Sequence, residues 1–273
     1  AMDVLVRAAG DPRVLIGSVC ERVAEVDPAL PVFGIMTMED LQQEGRAGRL
    51  SKIATAVVVD APDGKEFRTP TAHELNVELS ADQLVSHVYS EIPFGQPEEP
   101  ILEDAKRNTW CVSYGVDQWK KLFTARQLLS LGEIIKAVAA ARKTMADVGY
   151  DVVWREALSA ALAVAVDRLA DRGSTVCRPD PTPTQSGVIN TFSRFALPIT
   201  WDFAEGVALT TGSGGLLHSL DWVARYFEHA SWTAPMPTVT CGSSASSAFD
   251  GFDVIVTDPP YYDAIGYSVL MDF

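Results

Sequence analysis

The residues best suited to chemistry stand near the end of the chain, in the sequence "VIVTDPPYYDAIGYS". Asp258 supplies a carboxylate that can accept hydrogen bonds, and Pro259 keeps a backbone carbonyl while its ring fixes φ. Together with Pro260, they form a stiff turn with two acceptors in a fixed arrangement. Such a pair suits an amino group on a planar ring, because it can bind both N–H bonds while the nitrogen becomes tetrahedral.

Two tyrosines complete this motif. Tyr261 has a flat face on which a base flipped out of a duplex can stack, and such stacking is worth roughly 1 to 3 kcal/mol. Tyr262 is a candidate for a second wall of the same site. A purely structural interpretation is also open, in which the prolines end a strand and the tyrosines cover an edge of the core.

Two short β-branched segments are expected to position this motif. They are "PTVTC" at 237–241 and "FDVIVT" at 252–257, separated by a small, polar loop. This pattern predicts neighbouring strands of a parallel sheet. In open α/β sheets the functional residues lie just beyond the carboxyl ends of strands, and Asp258 occupies that position.

The rest of the chain is predicted to be mostly helical. Residues 54–69 indicate a hairpin with a Pro-Asp-Gly turn at 62–64. Helices are expected near 124–148, where Thr124 and Gln127 have the spacing of a capping box, near 150–172, and at 216–230. The first two should pack as an antiparallel pair, and the proline-rich stretch 174–190 reads as a loop. The predicted fold class is therefore mixed α/β, with a mainly helical region at 1–232 and the first strands of an incomplete sheet at 233–273.

Composition and charge restrict the function. The chain has 273 residues, 47% of them hydrophobic, and a formal net charge of −14. We find neither a run of about 20 apolar residues nor the order of a signal peptide, and therefore expect a cytoplasmic protein. The negative charge opposes a phosphate backbone, so this chain is not expected to be the main electrostatic clamp on a nucleic acid. Four scattered cysteines indicate buried free thiols rather than a metal site or disulfides.

Two further stretches offer weaker candidates. The glycine-rich "TTGSGG" before the 216–230 helix lacks the spacing and lysine of a phosphate loop, and a plain turn is favoured. In "PITWDFAEG", Asp202 and Glu205 are candidate ligands for a cofactor's ribose or amino group. A packing element with a satisfied carboxylate is the favoured interpretation there. The four histidines stand singly and indicate no site.

An ordered series of segments carries a resemblance to a known family. The series comprises "LFTARQLLSLGEII", Val166 to Asp171, "NTFSRFALPITWDFAEG", "LDWVARYFE" and "VTDPPYYDAIGYS". It resembles the central part of the prokaryotic adenine-specific DNA methylases that have a zinc ribbon and an N-terminal domain of unknown function. The similarity covers most of the chain from about residue 50 onward.

This resemblance implies a Rossmann-like methyltransferase sheet and transfer of a methyl group from S-adenosylmethionine to adenine N6 in DNA. Asp258 to Tyr261 would be the catalytic DPPY motif, and Tyr261 and Tyr262 would contact the base. The transfer itself needs no metal, because the sulfonium donor is already activated. The family's "DPFxGxG" donor loop and its zinc ribbon are missing from this sequence. We therefore expect an internal fragment that is inactive alone and lacks N- and C-terminal parts of the same protein.

Other functions remain open at this point. The acceptor pair would serve any planar amine or amide, so RNA or a protein amide nitrogen are alternative substrates. The polar loop "GSSASS" has no acid to hold the donor's adenine, which leaves the cofactor-binding residues unknown. A different class of function is a non-catalytic interaction module of a restriction-like or defence system, with the helical region binding a partner.

Overall fold

A computed structural model describes most of the chain. The described residues are 8–30, 32, 34–103, 108–180, 187–230, 237–243, 245, 251–259, 267–270 and 273. Every statement below on structure refers to these residues. Of the predicted site, Asp258 and Pro259 lie within them, whereas Pro260, Tyr261 and Tyr262 lie outside.

Helices dominate the described part of the chain. The α-helices are α1 (Ile16–Val26), α2 (Met38–Arg46), α3 (Ala72–Ser90), α4 (Ala125–Asp147), α5 (Val152–Arg172), α6 (Leu216–His229) and α7 (Tyr267–Leu270). Short 3-10 helices cover Pro12–Leu15, Trp110–Tyr114 and Trp119–Leu122. The strands are β1 (Val57–Ala61), β2 (Gly64–Arg68), β3 (Arg178–Pro179) and β4 (Val188–Ile189). The fold is thus mixed α/β, as predicted, and the helices predicted near 124–148, 150–172 and 216–230 are confirmed.

Capping boxes set the starts of three helices. At α4, the Thr124 side chain accepts from the backbone N–H of Gln127, and the Gln127 side chain accepts from the backbone N–H of Thr124. The same reciprocal pairs occur at α2 and α3. Each box satisfies two donors that a helix start leaves unpaired, which explains why the chain turns helical at these points.

The predicted hairpin is confirmed. Strands β1 and β2 pair antiparallel, with Val57 opposite Arg68 and Ala61 opposite Gly64. Pro62 and Asp63 form the two-residue connection, and Gly64 has a φ of +124°, which favours glycine. The proline-rich stretch after α5 is irregular where described, apart from the two-residue antiparallel pair of β3 and β4.

The core lies where α3, α4 and α5 meet the 3-10 helices Trp110–Tyr114 and Trp119–Leu122. α4 packs against both α3 and α5, and α5 packs against α6, so the predicted pairing of α4 with α5 is confirmed. Leu122 and Leu197 are completely buried in this cluster. Gly132 in α4 allows close approach to α3, because a Cβ there would lie 2.8 Å from Val88 Cγ1 and 3.0 Å from Tyr89 Cε2.

The last described residues pack on this same core. Leu270 of α7 contacts the main apolar cluster. The ring of Phe273 meets Phe192 edge-on at 4.8 Å between centroids, and it also contacts Trp119 and Phe123. The chain on the carboxyl side of the DPPY motif is therefore attached to the helical region through an aromatic cluster.

The parallel strands expected at 237–257 are not present in the described residues of that range. Residues 237–243 and 251–259 form neither a strand nor a bridge. A strand is held by hydrogen bonds from a neighbouring strand, and within the described part of the chain no segment pairs with either stretch. The β structure that is described consists of two separate two-stranded sheets.

The cysteine prediction is half right. Cys111 and Cys177 are buried free thiols, and burial raises the pKa of Cys111 to about 12. Cys20 is partly exposed and Cys241 is exposed. None of the helices in the described ranges combines the length and the apolar content needed to cross a lipid bilayer.

Candidate functional site

The segment that leads into the DPPY motif is irregular and lies at the surface. It leaves a turn at Gly251, whose φ is +82°, and runs through Val254, Ile255 and Val256, which are 75%, 58% and 89% exposed. Three consecutive exposed apolar residues therefore stand just before the motif.

Asp258 and Pro259 are both exposed at the end of this segment. No hydrogen bond or ion pair from another described residue reaches the Asp258 carboxylate, so its oxygens can accept from a ligand. The Pro259 carbonyl follows directly in the chain. The structure thus leaves both proposed acceptors accessible, while Pro260, Tyr261 and Tyr262 lie outside the described residues.

Glu205, a weaker candidate from the sequence, is fully engaged within the protein. Its carboxylate accepts from Arg126 Nε at 2.7 Å and from Arg126 Nη2 at 3.0 Å. It also accepts from the Thr124 hydroxyl at 3.0 Å. This bidentate ion pair at the first turn of α4 is a structural use of the carboxylate. The interpretation favoured from the sequence, a packing element whose carboxylate has partners within the protein, is confirmed for Glu205.

Asp202, the other candidate of that stretch, lies exposed three residues earlier in the chain. Its neighbour Trp201 contacts the buried Tyr114 edge-on, with 5.6 Å between ring centroids. The "PITWDFAEG" segment is therefore held by packing at Trp201 and by pairing at Glu205. No described residue joins Asp202 and Glu205 into one ligand set.

A lysine that the sequence analysis did not single out joins this region. Lys52 Nζ donates to the backbone carbonyls of Phe123 at 2.7 Å and Lys121 at 2.9 Å. The residue as a whole is exposed, but its ammonium group sits against protein, and this burial lowers the pKa of Lys52 to about 8. The negative charge of Glu205 opposes the shift. Lys52 thereby ties the segment before β1 to the start of α4.

Other chemistry-bearing groups do not assemble into a site in the described ranges. No cluster of three or more His, Cys, Asp or Glu residues there could hold a metal ion. His87 lies 3.8 Å from Glu91 on the exposed face of α3, and His218 accepts from the indole of Trp222 on α6. These are single surface histidines, in agreement with the interpretation from the sequence.

Sequence reasoning missed the residues that surround the start of α4. Nothing in the sequence around Lys52 indicates its role, because the backbone carbonyls to which it donates lie about 70 positions away. Arg172 looks like an ordinary charge in the last turn of α5, yet it lines a cavity together with Gln127. The capping-box spacing did reveal the backbone role of Gln127, but not its place in the wall of this cavity.

Comparison with protein-family models, with curated proteins and with solved structures finds no match for this chain.

Proposed function

We propose that this chain belongs to an S-adenosylmethionine-dependent DNA amino methyltransferase that modifies adenine at N6. The observation that carries the proposal is the DPPY motif itself, placed directly after an apolar, β-branched segment and ending in two exposed acceptors, Asp258 and Pro259. Donor and DNA would act together in the complete protein, and a cytoplasmic location is part of the proposal.

The chemistry of the motif suits this reaction. The lone pair of an exocyclic amine is delocalised into the ring, which makes the nitrogen a poor nucleophile. The Asp258 carboxylate and the Pro259 carbonyl would accept its two N–H bonds and favour the tetrahedral nitrogen that attacks the methyl group. Acceptors fixed in advance stabilise the transition state without reorganisation, and the second proline adds to this rigidity.

The proposal includes a Rossmann-like sheet around the motif. Residues 252–257 would form a strand when neighbouring strands pair with them, which would cover the exposed Val254, Ile255 and Val256. The carboxyl end of that strand would then present Asp258 at the edge where α/β proteins bind ligands. The exposed apolar run and its place directly before the motif support this arrangement.

The test is methyl transfer by the protein encoded by the whole reading frame that contains these residues. Labelled S-adenosylmethionine and duplex DNA are the substrates, and the methylated nucleoside is identified by mass spectrometry. Asp258→Ala should lower the single-turnover rate about 10²- to 10³-fold, the usual effect of losing one preorganised partner. The matched control is Asp253→Ala, which removes an exposed acid from the same segment and should keep the rate.

The outcome that contradicts the proposal is equally specific. An Asp258→Ala protein that melts and methylates like the original would show that the motif is only a turn. If the label is found in RNA or in a protein amide instead of DNA, the substrate is one of the alternatives expected from the sequence.

A second candidate, a non-catalytic interaction module, is favoured by one observation on α6. Trp222, Tyr226 and Phe227 on this helix are each about half exposed or more. Exposed aromatic side chains are typical of protein interaction surfaces. A protein that transfers no methyl group but loses a binding partner on Tyr226→Ala would support the module over the enzyme.

A further inference from the structure

The β1–β2 hairpin has little support from the rest of the described chain. Its strands pair with each other, and neither makes a substantial contact with any helix of the described ranges. An ion pair of 2.6 Å between Arg68 Nη2 and Glu74 Oε1 attaches the end of β2 to the first turn of α3. An isolated two-stranded hairpin is only marginally stable in water, and a further strand beside it would stabilise it.

The outer edge of β1 is open. In an antiparallel pair, every second residue of a strand directs its N–H and C=O away from the partner strand. Among the described residues β1 has no neighbour other than β2, and no backbone hydrogen bond from elsewhere in those ranges reaches this edge. Such a row of unpaired backbone groups is a template for another strand.

The residue types of the two strands show which edge suits a partner. β1 begins with three valines, Val57–Val59, and β-branched residues of this kind favour strands. Val58 and Val59 are 48% and 40% exposed. In β2 three of the five residues are charged, which is a common protection of an edge against pairing. The edge of β1 is therefore the one that suits a partner.

One exposed face of the hairpin is apolar across both strands. Val58 lies opposite Phe67, and side chains that lie opposite each other in an antiparallel pair share a face of the sheet. The Phe67 side chain is 73% exposed. A strand added beside β1 would extend this apolar row if it placed an apolar residue opposite Val58.

A second β1 strand meets that requirement. Two β1 strands that run antiparallel about Val58 place the two Val58 side chains opposite each other, and Val57 of one copy opposite Val59 of the other. Phe67 of each copy then completes a row of four apolar side chains on one face of the sheet. Asp60 falls opposite Ala56 of the second copy, so this register brings no like charges together.

The local charge also permits contact between two copies. The formal net charge of −14 opposes self-association of the chain. The stretch 51–69 is neutral, because its three positive side chains balance its three negative ones: Lys52, Lys65 and Arg68 against Asp60, Asp63 and Glu66. Exposed charges farther away than about 8 Å are largely screened at physiological salt. Two hairpins can therefore approach each other without strong repulsion.

We propose that this chain forms a symmetric dimer through β1. The two hairpins join into one four-stranded antiparallel sheet with the strand order β2–β1–β1–β2, and the twofold axis passes between the two Val58 residues. The dimer surface includes neither Asp258 nor Pro259, so it does not depend on the proposed methyl transfer.

Sedimentation equilibrium of the 273-residue chain tests the proposal and should show a concentration-dependent monomer–dimer equilibrium. Val58→Lys should weaken dimerisation about tenfold or more, because two ammonium groups would lie opposite each other and the burial of both valines would be lost. The matched control is Val164→Lys on α5, where a valine that is 56% exposed is replaced and dimerisation should not change. Circular dichroism of each variant measures its folded fraction.

A pair of opposite charges tests the register. Val58→Glu alone should weaken the dimer as Val58→Lys does, whereas an equimolar mixture of the two variants should restore it, because lysine then lies opposite glutamate. A chain that stays monomeric at every concentration, a dimer that persists in both variants, or a mixture that remains monomeric would overturn the proposal. Loss of the dimer in Ile255→Lys would also overturn it and assign the edge of β1 to residues 252–257 of another copy.

Discussion

Gly45 of α2 lies directly against the backbone of Gly115, and neither position has space for a Cβ atom. A Cβ on Gly45 would overlap the carbonyl group of Tyr114, and one on Gly115 would overlap the carbonyl group of Gly45. Gly115 also has a φ of +84°, a conformation that few other residues adopt. This backbone contact attaches α2 to the 3-10 helix Trp110–Tyr114 and hence to the core.

Gly45→Ala should therefore destabilise the protein. Alanine is the better helix former, by about 1 kcal/mol, but the overlap with backbone cannot be relieved by a rotamer change. Overpacking of this kind costs about 1 to 3 kcal/mol in the free energy of unfolding, which urea denaturation measures. The control is Gly17→Ala in α1, where no atom lies within 4 Å and no loss is expected. Equal stability of the two variants would contradict this account.

The pKa of Lys52 gives a prediction on pH dependence. Burial lowers this pKa to about 8, so the folded protein releases the proton before the unfolded chain does. Below pH 8 both states are protonated, and from pH 8 to about 10.5 only the unfolded state keeps the proton. Stability contributed by this group should therefore rise with pH across that window. A titration of the Lys52 ¹³Cε signal measures the pKa directly.

Glu205→Gln sharpens the Lys52 prediction. The Glu205 charge opposes the lowered pKa, so its removal should lower the pKa of Lys52 further. The same variant weakens the bidentate ion pair with Arg126, which should appear as a lower melting temperature. A Lys52 pKa near 10.5, or one that Glu205→Gln leaves unchanged, would show that the ammonium group is solvated.

Duplex DNA should bind weakly to this chain alone. The formal net charge of −14 opposes the phosphate backbone, and no dense basic segment occurs in the sequence. Fluorescence anisotropy at moderate salt should show at most weak, strongly salt-dependent binding. Nanomolar affinity under those conditions would mean that the helical region has a basic face dedicated to recognition.

Local signals explain which elements could be predicted from the sequence. The hairpin was predictable because a Pro-Asp-Gly turn follows a β-branched run, and α4 because Thr124 and Gln127 cap it within four residues. The same signal stands at Thr71 and Glu74 before α3, so that helix could have been delimited as well. Each of these features depends on residues that are close in the chain.

Long-range contacts explain what could not be predicted. The cavity forms where Gln127 of α4, Arg172 of α5 and Gly214 come close in space, and no sequence pattern predicts that proximity. The use of Glu205 by Arg126 is of the same kind, since the two lie 79 positions apart. The strand expected at 252–257 was inferred from its residue types, but a strand also needs a partner, which those types cannot supply.

Tyr261 provides the prediction that separates base capture from the acceptor chemistry of Asp258. In the whole reading-frame protein, Tyr261→Ala should weaken capture of the flipped base, because stacking worth roughly 1 to 3 kcal/mol is lost. Tyr261→Trp keeps a flat face and should retain part of the activity. Single-turnover methylation at several DNA concentrations, with thermal melting on the same samples, distinguishes weaker capture from loss of folded protein. If both variants methylate alike once corrected for the folded fraction, the ring of Tyr261 covers a core edge and does not hold the base.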